Sequence, residues 1–150
     1  MAMLDGLGAR LDTFRGMDAA ATQAVVESLV WITIAEPEND AHAHLLGVSL
    51  VSLPGLQELS DDERAARVAT AMQRLDALEA SELWWHLQAL GRDLGEPERR
   101  VIVLAIASVV ATAGGALGET RKLLLSRMGE AFEVTPEALE RTIQALAAAV

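Results

Sequence analysis

The densest run of side chains able to hold a metal is Glu36-Pro37-Glu38-Asn39-Asp40-Ala41-His42-Ala43-His44. Carboxylates alone suit calcium or magnesium, and the addition of His42 or His44 suits zinc or a similar metal. His42 and His44 are two apart, so on a helix they point to different faces and converge only where the segment is extended. The alternative is a solvated helix start, with Glu38 and Asp40 favoured by the positive end of the helix dipole. A second unusual cluster is Trp84-Trp85-His86. Adjacent helical residues point about 100° apart, so one indole can be buried while its neighbour is exposed. Exposed tryptophan is enriched at interfaces, which makes Trp84 and Trp85 partner-binding candidates. The competing reading is core packing in a chain poor in aromatics. His86 reads as a polar helix residue.

Other chemistry is less well supplied. Gly6-Leu7-Gly8 lacks the third glycine and the preceding strand of a dinucleotide fingerprint. Serines are present, but no histidine sits in a context that suggests a triad. Asp61-Asp62 reads as helix N-terminal charge and not as acid–base machinery. A hydrolase would require a pocket with two convergent ionisable groups. The sequence therefore predicts no catalytic residues, no enzyme activity and no obligate cofactor.

Composition narrows the partners. A formal net charge of -10 would be repelled by nucleic acid and by anionic lipid. Arg99-Arg100 and Arg121-Lys122 do not make a basic stripe. A cationic partner or a divalent metal suits this field better, and self-association is left open. The absence of cysteine excludes disulfides, thiolate metal sites and cysteine nucleophiles, and fits a reducing cytosol. The first 15 residues carry Asp5 and lack a basic region followed by an apolar core, so no signal peptide is expected. Residues 101–118 are uncharged, but their strongly apolar part stops near Val110, which favours a buried helix over a membrane span.

The elements that must position these residues are helical. Alanine and leucine dominate, and aromatics are only 3%, the opposite of a strand-forming composition. Asp18 caps a mostly buried helix to about Ala35, where Pro37 stops it. A second helix covers 38–53 and ends at Pro54-Gly55. Ser60 with Glu63 is a capping box for a helix whose inner face carries Ala65, Val68, Ala69, Met72 and Leu75. Ser81 caps a helix over 82–94, and Pro97 opens a long apolar helix to about Ala113. A sixth helix covers 119–132. Thr135-Pro136-Glu137 opens the last, with a staple between Val134 and Leu139. Leu4, Leu7 and Leu11 suit a short leading helix. At 150 residues this is one all-α domain of about seven helices. The order of apolar helix, polar loop and amphipathic helix occurs twice, over about 18–76 and 96–150, and suggests two pseudo-repeated units.

On these patterns the chain resembles the TerB-like (tellurite-resistance B) family. The resembling stretches are 101–146 and, more faintly, 25–75. In the first, Ala113-Gly114-Gly115-Ala116-Leu117-Gly118 occupies the family's acidic loop, followed by Leu123-Leu124, Met128, Ala131-Phe132 and Val134-Thr135-Pro136-Glu137. In the second, Leu53-Pro54-Gly55-Leu56 and Leu59-Ser60-Asp61-Asp62-Glu63 resemble the connection into the family's third helix. The resemblance implies an all-helical, non-catalytic interaction or scaffold module of bacterial stress and tellurite responses. It also implies a divalent cation on acidic loops. Here the loop aspartates fall on Gly114 and Gly118, and the helix-start Glu on Arg121, so the second-half metal loop is expected to be lost. The equivalent first-half loop would place a metal on Glu36, Asp40 and His44.

Overall fold

The computed structural model describes residues 2–37, 39–113 and 115–148. They form only helices and turns, with no strand among the described residues. A short α1 (Ala2–Asp5) and a 3-10 turn (Gly8–Phe14) lead into α2 (Ala19–Ile34), α3 (Asp40–Ser52) and α4 (Asp61–Ala77). A second 3-10 turn (Ala80–Glu82) precedes α5 (Leu83–Leu94), and α6 (Pro97–Thr112), α7 (Glu119–Ala131) and α8 (Pro136–Ala148) complete the chain. The fold is all-α, as the composition requires.

Local chemistry fixes the helix starts. Asp18 accepts from the Ala21 amide at the head of α2. Ser60 and Glu63 exchange bonds across the first turn of α4, and Thr135 accepts from the Ala138 amide at α8. Each satisfies an amide that the helix cannot satisfy itself. The expectation for Ser81 fails. It lies inside the second 3-10 turn, and α5 starts at Leu83 with no side-chain cap.

Two helices make the centre. In α2 every residue from Ala21 to Val30 is buried, and in α6 every residue from Val101 to Ala107. The two helices pack on each other; α2 also packs on α3, α4 and α5, and α6 on α7 and α8. Over these stretches neither helix has a solvent face, which explains why neither shows a polar stripe. Burial stabilises each large aliphatic side chain by about 1.5–3 kcal/mol. No helix among the described residues is long and apolar enough to cross a membrane.

One predicted face was misplaced. In α4 the buried residue is Ala71, flanked by half-buried Val68 and Leu75, while Ala65, Ala69 and Met72 are exposed. The small Ala71 lets α4 lie close to α2. The inward stripe runs through 64, 67, 68, 71 and 75: it keeps Val68 and Leu75 of the expected face and has Arg64, Arg67 and Ala71 in place of Ala65, Ala69 and Met72.

Arginines finish several helix ends. Arg99 donates to the carbonyls of Leu94 and Thr13, and Arg100 to that of Phe132. Arg64 donates to the carbonyls of Leu56 and Leu59. These guanidiniums satisfy carbonyls left open at helix C-termini and loops. They are thereby withdrawn from any surface role, and the Arg99-Arg100 pair is not a basic patch.

Candidate functional site

Three places bring chemistry-bearing side chains together. The first is an apolar groove at the end of the bundle where α2 stops and α5 begins. The inward stripe of α5 is Leu87, Leu90, Gly91 and Leu94, all buried. Leu83 and Trp84 continue that stripe by one turn, to a level where no described element covers it. Trp31, Ala35, Leu83, Leu87, Leu123 and Leu124 line a hollow of about 230 Å3. It joins a second, of about 500 Å3, through Leu83, Leu87 and Leu123, where Trp84 forms part of the wall. It joins a third, of about 510 Å3, through Trp31 and Ala35, with Ile34, Met72 and Leu75 beyond. Among the described residues seven large hydrophobic side chains are exposed, and five of them (Ile34, Met72, Leu83, Trp84 and Leu123) line this one depression. Single exposed apolar residues are ordinary; a contiguous row marks a contact surface.

The paired indoles do not divide into one buried and one exposed. Trp84 is 37% exposed, in the groove wall, and Trp85 is 69% exposed. Trp85 is not among the residues lining the groove. The half-buried tryptophan is Trp31. No position-by-position reading of α5 could show this, because it depends on which described elements pack against Trp84.

The second place is a cleft between α2, α4 and α5 built on Glu27, the sole charged residue of α2. Its carboxylate is buried, with Oε2 2.5 Å from His86 Nε2 on α5. Oε1 stands 3.7 Å from Arg74 Nη1 on α4 and accepts no hydrogen bond. The His86 ring tilts against Trp31, with centroids 5.6 Å apart. Sequence reasoning missed this cluster. The available signal was one carboxylate in an otherwise uncharged helix, which has to find partners wherever that helix is buried. The cleft does hold two convergent ionisable groups, the condition set for hydrolysis. Among the described residues, however, no hydroxyl bonds to either. The nearby Ser28 and Thr33 hydroxyls donate to the carbonyls of Ala24 and Leu29 on their own helix. A carboxylate–imidazole pair without a positioned nucleophile is a binding and positioning group first.

The third place is the acidic loop. Glu36 turns away from Asp40 and His44 toward the start of α7, where its Oε2 accepts from the Arg121 amide at 2.9 Å. Gly118 precedes α7 and has no side chain to cap it, and a β-carbon there would overlap the Glu36 carboxylate. Glu36 therefore supplies the capping acceptor for a helix some 85 residues away. Arg121 reciprocates. Its side chain is buried and donates to the carbonyls of Ile32, Thr33 and Glu36, closing the C-terminus of α2. This double clasp joins the two ends by the charges their dipoles favour, a carboxylate at an N-terminus and a guanidinium at a C-terminus.

The clasp draws Glu36 away from the other candidate ligands. Among the described residues no group of three or more His, Asp or Glu side chains is placed to hold a metal ion. The candidate ligands Glu36, Asp40 and His44 are thus not gathered. Asp40 is exposed in the first turn of α3, and His44 is exposed one turn on. His42 completes a capping box: its amide donates to Asn39 Oδ1, and its Nδ1 accepts from the Asn39 amide. Glu38 and Gly114 lie outside the described residues. A guanidinium occupies the position at which the TerB-like resemblance implies a carboxylate ligand, so the residues present do not fit the cation of that family.

No family model matches the chain, and no curated protein or solved structure matches it either. The class that fold and site define is accordingly an all-α helical domain with an open apolar groove and a buried carboxylate cleft.

Proposed function

We propose that this protein is a non-catalytic, cytoplasmic interaction module whose groove around Trp31, Trp84 and Leu123 receives an amphipathic, basic helix of a partner protein. The gathering into one groove of five of the seven large hydrophobics exposed among the described residues carries the reading. The occupant follows from three properties of the groove. Its walls are helices, whose backbone groups are already paired internally, so the partner cannot add as a strand and must bring its own satisfied backbone. Asp76 lines one end, Glu79 and Glu82 lie exposed along the 3-10 turn beside it, and the one lining guanidinium, Arg127, is paired with Glu130. The chain as a whole carries -10, which favours a cationic partner and sets two copies of this chain against each other. Met72 in the wall is a flexible side chain able to conform to differing apolar anchors. A place in a bacterial stress system of the tellurite-resistance type is part of the proposal and is supported by the sequence resemblance alone.

A synthetic helical peptide tests it. The peptide carries leucine at helical spacing on one face and lysine elsewhere. Tryptophan emission should shift to the blue and saturate in the micromolar range. A peptide of the same composition, scrambled so that it has no apolar face, should bind at least about tenfold more weakly. Equal binding of the two peptides would reduce the interaction to charge alone and remove the groove from the account.

A further inference from the structure

The cleft of Glu27 runs along the first half of α2, a turn before the groove that begins at Trp31, and the interaction reading makes no use of it. Its floor is a fully buried carboxylate whose Oε1 accepts no hydrogen bond from the described residues. Burying a carboxylate with half its accepting capacity unused is costly, and a fold keeps such a group where something else completes it. The groups facing it are Arg67 and Arg74 from α4, and His86 and Asp93 from α5, around a volume of about 350 Å3. That volume is at the small end of the range for ligand sites. Arg74 is 55% exposed and makes a single ion contact, at 3.7 Å, so its donors are largely free. Arg67 is tied back by longer bonds, at 3.3 Å to Gln23 Oε1 and 3.4 Å to the Ala19 carbonyl.

We propose that this cleft binds a small zwitterion, a free α-amino acid, admitted as the exposed Arg74 side chain swings outward from Glu27 Oε1; its ammonium donates to Oε1 and its carboxylate is held by Arg74. The alternatives are disfavoured by charge. A simple cation would meet two guanidiniums, and a simple anion would meet Glu27 and Asp93. A molecule carrying both signs on one carbon meets each with its opposite, and the closeness of Arg74 Nη1 to Glu27 Oε1 suits groups joined in that way. His86 holds the other carboxylate oxygen in place, so the acceptor is preorganised. Because His86 also leans on Trp31, which lines the groove, occupancy of the cleft is read by that indole. This site stands or falls independently of the peptide groove.

The test is calorimetric titration of the full chain with the common protein amino acids, one at a time at millimolar concentration, with methylamine and acetate as half-ligand controls. At least one amino acid should bind saturably while neither control does, and in a Trp84→Phe/Trp85→Phe background its binding should change Trp31 emission. Glu27→Gln and Arg74→Ala should each weaken binding at least about tenfold. Arg74 is at the surface, so its variant folds and decides the matter even if Glu27→Gln does not. No saturable binding by any amino acid, or affinity unchanged in the Arg74 variant, would overturn the assignment.

Discussion

Arg121→Met should lower the stability of the protein by about 3–5 kcal/mol. Methionine matches the length and apolar volume of the arginine stem, so the change removes the guanidinium without opening a large cavity. Three carbonyls, those of Ile32, Thr33 and Glu36, then lose their donor at the buried end of α2. Each such loss costs about 1–3 kcal/mol when solvent cannot reach the group, and the lower part of that range applies where the helix end frays outward. For a chain of this length a melting temperature about 10 °C lower follows. Arg121→Lys should fall between, because one ammonium cannot span the three acceptors that the planar fork reaches. Denaturant unfolding of both variants checks the order. A loss under about 1 kcal/mol in the methionine variant would mean that the clasp is an incidental contact.

Gly91→Leu should be the other strongly destabilising change, by roughly 3 kcal/mol or more, at the upper end of overpacking effects. A β-carbon on Gly91 would sit 2.9 Å from the Ala131 carbonyl oxygen and 3.2 Å from a Phe132 ring carbon. The nearer atom is backbone and cannot swing aside, so α5 and α7 must move apart. Gly91→Ala gives the calibrating half-step. Its gain in helix propensity, about 1 kcal/mol, offsets part of the clash, and a smaller net loss is expected. The two helices separated here also form the Leu83 and Leu123 walls of the groove, so peptide binding should weaken along with stability. Thermal melts and the peptide titration on the same samples check both effects. A leucine variant as stable as the parent would show that the helices do not approach this closely.

How far the sequence could be read depended on the range of the interactions. The caps at Asp18, Ser60 and Thr135, and the stop at Gly95, are decided within four residues, and reading the chain locally finds them. The two central helices announce themselves because neither has a polar face. The partners of Glu27, Glu36 and Arg121 lie 47 to 89 residues away, and nothing in their own neighbourhoods indicates which groups they will meet. Glu36 shows the consequence. Among acids and histidines it reads as a metal ligand, whereas in the fold it caps α7. The aromatic pair was located by the sequence as an edge, but the exposure of both indoles depends on which helices fail to cover α5, a property of the whole bundle.

The central claim, an apolar groove that receives a basic amphipathic helix, is tested most directly by comparing two aspartate substitutions in one peptide titration. Leu123→Asp places a charge in the groove, and Val51→Asp places the same charge on an equally exposed apolar residue of α3, outside it. Both positions are solvent-facing, so both variants keep the fold, and both add the same attraction for a basic peptide. Leu123→Asp should weaken binding at least about tenfold, a loss of about 1.4 kcal/mol, while Val51→Asp leaves it within about twofold of the parent. Equal effects of the two substitutions, or no effect of Leu123→Asp, would contradict the account.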